Sequence, residues 1–181
     1  MITQLDRLKR LFGQDSAVDW DKVFTVEFPR ILNYFRFHGV EDAIAEDLTS
    51  STFEKAWSSR QSYRNEKATV STWLYTIARH TMIDHFRAHT YELPLDSLED
   101  RPEKKTLSSP EEAAQRSDEK ERLRRFLLRL SERERELVAL KYGAEMTNRA
   151  IAKQTGLSET NVGTILNRVV TSLRRQMKEE K

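Results

Sequence analysis

The sequence predicts an all-α protein: two small helical domains joined by an acidic, proline-containing linker, with a helix-turn-helix in the second domain. Three observations carry that expectation. Apolar residues recur at helical spacing on both sides of the chain's middle, strand-like alternation of useful length is absent, and three of the four prolines (Pro94, Pro102, Pro110) fall between the two periodic stretches.

The first periodic stretch holds Trp20, Val23, Phe24, Ile31, Leu32 and Phe35. Pro29 lies inside it and is expected to kink or divide the helix, because proline lacks an amide donor and crowds the preceding turn. Gly39 then supplies a left-handed stop. A second helix, over about residues 41–59, places Ile44, Leu48 and Trp57 among acidic and hydroxyl side chains. Residues 60–70 are polar and fit neither period, so they are read as a loop. A third helix, over about 71–89, carries Trp73, Leu74, Ile77, Ala78 and Phe86. Trp57, Trp73 and Phe86 are read as core residues, and Asp84 equally as a helix-surface charge or a functional group. These elements form a first domain, residues 1–90.

Residues 91–117 have no sustained apolar period and are read as the linker, with Leu93, Leu95 and Leu98 too few to form a core. Residues 118–181 form the second domain. Leu123, Phe126, Leu127 and Leu130 give its first helix, and Ser131 with Glu134 forms a capping box that starts the next, ending near Gly143. Thr147 caps a short helix with Ala150, Ile151 and Ala152. Ser158 caps a final helix with Val162, Ile165, Leu166, Val169, Leu173 and Met177 on one face.

Composition narrows the function. With no cysteine, disulfides, thiolate catalysis and thiolate zinc sites are excluded, and four scattered histidines make no metal site. No run of eighteen apolar residues and no secretory leader is visible, so a cytoplasmic location is expected. No phosphate loop, nucleophile triad or metal cluster stands out. The expectation is therefore a non-enzyme with no cofactor, no metal and no catalytic residues. The net charge of +2 is unevenly placed. Residues 92–119 hold nine acidic and four basic side chains, a net −5, while residues 120–181 hold fifteen basic and eight acidic, a net +7. A basic terminal third suits phosphate contact.

The helix-turn-helix is the sharpest local signal. Such a motif needs a small residue where its helices cross, a glycine at the left-handed turn and apolar anchors on the second helix. Ala152, Gly156 and the pair Val162 and Ile165 meet these needs at the right offsets. Ser158, Glu159, Thr160, Asn161, Thr164, Asn167 and Arg168 then lie on the exposed side of the recognition helix. Its first residues are placed to reach base edges, while Arg149, Lys153, Arg168, Arg174 and Arg175 are placed to touch phosphates.

The first domain narrows the family. The stretch 45–57, AEDLTSSTFEKAW, resembles the polymerase-binding helix of extracytoplasmic-function (ECF) RNA polymerase sigma factors. The stretch 72–80, TWLYTIARH, followed by DHFR at 84–87, resembles their promoter-melting helix. The resemblance covers about 23–87 and 123–175 in the right order. It implies a sigma factor that directs core RNA polymerase to promoters. Asp47, Leu48, Thr52, Phe53 and Glu54 would dock on the polymerase. Tyr63, Arg64, Asn65, Glu66, Lys67, Thr72, Arg79, His80 and Arg87 would hold the unpaired minus-ten element, whose bases become readable only once out of the duplex. The second domain would read the minus-thirty-five element, and an anti-sigma factor would be a natural further partner. The rival readings are a sigma mimic that sequesters an anti-sigma factor and a stand-alone helix-turn-helix regulator. Polymerase-dependent DNA opening separates them.

The chain departs from the family pattern at three places. Ser50 and Ser51 stand where members often carry glutamine and glutamate, which creates a hydroxyl run from Thr49 to Thr52. Phosphorylation there by a Ser/Thr kinase would restore negative charge. His80 stands where asparagine is common. Gly163 and Ile165 occupy places near the start of the recognition helix that usually hold lysine and arginine, with Gly163 costing ~1 kcal/mol of helix propensity relative to alanine.

Overall fold

The computed structural model describes residues 18–66, 68–90 and 110–179, and within these every regular element is helical. Helix α1 (Trp20–Phe37) begins at Asp19, whose Oδ1 accepts from the Lys22 amide at 3.1 Å. It runs through Pro29 as one helix, so of the expected kink or division the division does not occur. Pro29 is exposed, so the carbonyl that its missing amide leaves unpaired is open to solvent. The helix closes at His38, and Gly39 takes the left-handed conformation at φ 79°. Helix α2 (Asp42–Ser58), a short 3-10 turn (Arg60–Ser62) and helix α3 (Val70–Thr90) complete the first bundle.

Its core is built around aromatic rings. Trp20 meets Trp57 and Trp73 edge-on at 6.3 and 6.1 Å, and Phe53 packs on Phe24 and Phe28 at 5.0 and 5.7 Å. Ile31, Phe35, Ala45, Leu48, Leu74 and Ala78 fill the remainder. Trp57 and Trp73 thus act as core residues, as read from the sequence. Phe86 does not: it is 47% exposed, near the end of α3.

Helix α4 spans Pro110–Arg129 and so begins within the stretch read as linker. Pro110 sits at its first position, where a missing amide costs nothing. Residues 91–109, with Leu93, Leu95 and Leu98, lie outside the described residues. Helix α5 (Glu132–Val138) opens with the predicted capping box. The Glu134 amide donates to Ser131 Oγ, and Glu134 Oε2 accepts from the Ser131 amide at 3.2 Å. The next five residues, Ala139–Gly143, form a π-helical turn, followed by α6 (Asn148–Thr155) and α7 (Glu159–Glu179). Arg135 holds the joint between α4 and α5. Its guanidinium donates to the carbonyls of Leu127, Leu128 and Leu130, at and just past the end of α4.

The two bundles are in contact, which the sequence did not foretell. The π-helical turn packs on α1 so closely that a Cβ at Gly143 would lie 2.8 Å from the Asn33 and Tyr34 backbone. Around that contact, Tyr34 Oη donates to Glu136, His38 Nε2 lies 3.0 Å from Glu136 Oε2, and Arg30 pairs with Glu145 at 3.1 Å. Phe37 stacks on Tyr142 at 6.4 Å, and Arg124 Nε donates to the Gly39 carbonyl at 3.1 Å. No described helix is long and apolar enough to cross a membrane.

Candidate nucleic-acid interface

The recognition unit follows from its caps and its turn. Thr147 accepts from the Ala150 amide to start α6, and Gly156 ends it in the left-handed region at φ 72°. Ser158 Oγ accepts from the Asn161 amide at 3.2 Å to start α7. Ile151 and Val162, both fully buried, lock the two helices together with Leu166 and Val169 behind them. The opposite face of α7 is therefore open. Ser158, Glu159, Thr160, Asn161, Thr164, Asn167 and Arg168 are all exposed, as are Arg149 and Lys153 on α6. Gly163 and Ile165 point elsewhere. A Cβ at Gly163 would lie 3.5 Å from the Asn148 amide group of α6, and Ile165 packs against the core. Their departure from the family pattern thus leaves the exposed face of α7 intact.

Arg168 has a partner that the sequence did not indicate. Its Nη2 lies 2.7 Å from Glu134 Oε1, the same carboxylate that closes the capping box of α5. The Ser131 hydrogen bonds, chiefly, and then Arg168 hold the Glu134 carboxyl below its ordinary range against the opposing effect of burial. One acidic side chain therefore caps a helix and orients a cation on the exposed face of α7.

In the first bundle, burial of Leu74, Tyr75, Ala78, Thr81 and Met82 turns the other side of α3 outward. Arg79, His80 and Arg87 are exposed there, with Arg87 about 11 Å further along the axis than Arg79 and His80. The preceding loop is folded on itself. Tyr63 rests on Trp73 at 5.3 Å and donates its hydroxyl to the Ala68 carbonyl, while Arg64 donates to the carbonyls of Gln61 and Tyr63. Asn65 and Glu66 are exposed at its tip, and Lys67 lies outside the described residues. Thr69 Oγ1 accepts from the Thr72 amide, and the two hydroxyls are 3.0 Å apart, which caps the start of α3. Arg60 was missed by sequence reading. Its guanidinium stacks on the Trp57 ring at 3.9 Å and donates to the Trp57 carbonyl, which places a fixed cation at the foot of this loop.

Of the five residues assigned to polymerase docking, Leu48, Thr52 and Phe53 face the core, at 4%, 0% and 1% exposure. Thr52 donates its hydroxyl to the Leu48 carbonyl at 2.7 Å, and Thr49, also buried, donates to the Ala45 carbonyl. Only Asp47 and Glu54 of that set are exposed, beside Glu46 and the half-buried Ser50 and Ser51. Lys55 pairs with the exposed Asp84 of α3 at 3.6 Å.

A helix-turn-helix with an open reading face, beside a bundle carrying a cationic helix, defines a DNA-binding transcription factor of the helical class. Comparison with known proteins makes this specific. Residues 25–91 match the family model of sigma-70 region 2, and residues 120–173 match that of sigma-70 region 4. The chain is 33% identical to the RNA polymerase sigma factor YlaC of Bacillus subtilis over 83% of this chain and 87% of that one. It is 30% identical to the ECF RNA polymerase sigma factor RpoE of Cereibacter sphaeroides over 81% and 78% of the two chains. Among solved structures, CnrH in complex with the cytosolic domain of CnrY aligns at a TM-score of 0.67, with 18% identity over 97% of both chains. The sigma factor RpoE of Bartonella quintana, in complex with the anti-sigma factor NepR, aligns at 0.62 with 20% identity, over 90% of this chain and 99% of that one. The chain belongs to the RNA polymerase sigma factors, in their extracytoplasmic-function group. It is a promoter-directing transcription initiation factor.

Proposed function

We propose that this sigma factor divides its work between three surfaces. The outer side of α2, with Asp47 and Glu54, meets core RNA polymerase. Basic groups on the polymerase pair with these carboxylates, and the buried Leu48, Thr52 and Phe53 hold the helix in position for that pairing. The loop residues Tyr63, Arg64 and Asn65, together with Thr72, Arg79, His80 and Arg87, hold the melted minus-ten strand. Arg60 extends that cationic track. The exposed face of α7, backed by Arg149 and Lys153, reads the minus-thirty-five duplex. The observation that carries this reading is the segregation of faces: exposed carboxylates on the outer side of α2, and exposed cations on α3 and α7, each backed by a buried stripe.

Nucleotide chemistry belongs to the polymerase, and the factor works where polymerase and chromosome meet, in the cytoplasm. An anti-sigma factor is a fitting partner, given that the aligned RpoE structure is a complex with the anti-sigma factor NepR. If a Ser/Thr kinase acts on the hydroxyl run, its targets in the folded chain are Ser50 and Ser51, because Thr49 and Thr52 are fully buried.

Paired variants test the division. Asp47→Asn with Glu54→Gln is expected to weaken core-polymerase binding while leaving isolated-promoter binding by the second bundle unchanged. Arg79→Ala with Arg87→Ala is expected to leave polymerase binding intact and to lower promoter opening, read by permanganate reactivity of unpaired thymines. Loss of opening in neither variant would overturn the assignment.

A further inference from the structure

Glu134 and Arg168 form a pair that the division into three surfaces leaves without a role. Both oxygens of the Glu134 carboxylate are engaged. Oε2 accepts from the Ser131 amide at 3.2 Å and from Ser131 Oγ at 2.7 Å, and Oε1 accepts from Arg168 Nη2 at 2.7 Å. The carboxylate belongs to the capping box of α5, so it is tied to the start of that helix and does not follow the arginine's motion. Arg168 lies in the third turn of α7, about 14 Å along the axis from Glu159. The carboxylate side chain is 22% exposed and the arginine 70% exposed. The fixed end of the pair is therefore set back on α5, and the guanidinium is the end that meets solvent.

Two consequences separate this arginine from the exposed cations Arg149 and Lys153. An untethered long side chain loses rotamer freedom on binding DNA, whereas Arg168 is already confined to one placement. Its charge is also offset by the carboxylate beside it, so the pair adds little to the sequence-blind attraction of cations for phosphates. What remains is a planar fork of donors held at a fixed place on the exposed face of α7. Such a fork matches the O6 and N7 acceptors of guanine in the major groove, a contact that discriminates against other bases by roughly five- to hundredfold. The sequence alone leaves Arg168 both among the exposed residues of the recognition helix and among the phosphate contacts. Its tether to Glu134 favours the first of these roles.

We infer that Glu134 is a positioning residue for promoter recognition: by holding Arg168 in place it makes that arginine the reader of one guanine in the upstream duplex rather than a general phosphate contact. This inference rests on the minus-thirty-five reading of α7 above and deepens it by assigning one base to one side chain. Glu134 acts only through the arginine.

The full chain, assembled with bacterial core polymerase, is presented with a promoter library randomised over both elements, and the templates that initiate are sequenced. The unmodified chain is expected to prefer guanine at one upstream position by about fivefold or more. Glu134→Gln keeps the capping box, where glutamine also serves, but removes the charge that holds the guanidinium. Arg168→Lys keeps a cation at an exposed position and loses the planar fork. Both are expected to flatten the preference at that same position and to leave the other positions as they were. Glu134→Gln, with one more net positive charge, is also expected to bind scrambled duplex with a salt slope steeper by about 0.9, as one added phosphate contact gives. If the guanine preference survived Glu134→Gln, or fell equally at every upstream position, the positioning role would be overturned. An unchanged pattern with Arg168→Lys would overturn the base contact. A flat upstream pattern from the unmodified chain, with start sites still specified by the minus-ten element, would instead refute the minus-thirty-five reading of α7, and this inference with it.

Discussion

Phe53 distinguishes a docking residue from a core residue. It is 1% exposed and packs on Phe24 and Phe28, so Phe53→Ala removes a buried ring and two aromatic contacts. Such a truncation costs about 3–5 kcal/mol. A bundle of this size has a total stability of roughly 3–10 kcal/mol, at 0.05–0.15 kcal/mol per residue. The alanine variant is therefore expected to lower the urea midpoint by about 2 M or more, or to unfold the first bundle outright. Phe53→Leu keeps most of the buried volume and is expected to cost about 1 kcal/mol, chiefly the lost ring pairing. Urea unfolding followed by circular dichroism, paired with core-polymerase affinity by anisotropy, separates the roles. Phe53→Leu should retain near-normal affinity, while Asp47→Asn with Glu54→Gln should lose roughly tenfold at an unchanged midpoint, as exposed charge pairs worth up to ~1 kcal/mol each would give. If Phe53→Ala kept its urea midpoint and still lost polymerase affinity, the inward placement of Phe53 would be refuted.

Gly156→Ala places a Cβ at φ 72° and should cost about 1–2 kcal/mol by urea unfolding, with no clash to add, since nothing lies within 4 Å of that Cβ. Ser131→Ala removes the α5 cap and should cost ~1 kcal/mol. Because the folded protein depresses the Glu134 carboxyl, the stability this group contributes is present above the ordinary carboxylate range and is lost as pH falls through its folded value. Glu134→Gln should flatten that part of an acid-unfolding curve, which denaturant titrations at several pH values can check. Arg149→Ala with Lys153→Ala should weaken duplex binding across sequences and reduce the salt slope by about 0.9 per lost phosphate contact, measured by anisotropy against log salt concentration.

What could be read from the sequence was chiefly what is local. The caps at Ser131, Thr147 and Ser158 and the left-handed Gly39 and Gly156 follow from side-chain reach and backbone sterics within a few residues. The inward stripe of α2 was harder to see. Ala45, Leu48, Thr49, Thr52, Phe53 and Ala56 keep helical spacing, but two of the six are threonines that look polar. Their hydroxyls satisfy themselves on carbonyls one turn back, and only that bond makes their burial possible. Pro29 does not divide α1, and its exposed place lets solvent satisfy the carbonyl its missing amide leaves free. The contact between the bundles was invisible because its two sides lie about a hundred residues apart, joining Tyr34 to Glu136 and Arg30 to Glu145.

The most direct test of the central account is reconstituted transcription. The purified chain and bacterial core polymerase are incubated with a library of promoter fragments, and the transcripts are sequenced. The account predicts initiation from fragments that share two motifs at fixed spacing, abolished by Arg79→Ala with Arg87→Ala. Binding of the chain to the same fragments without polymerase, and no change in start sites when polymerase is added, would contradict it.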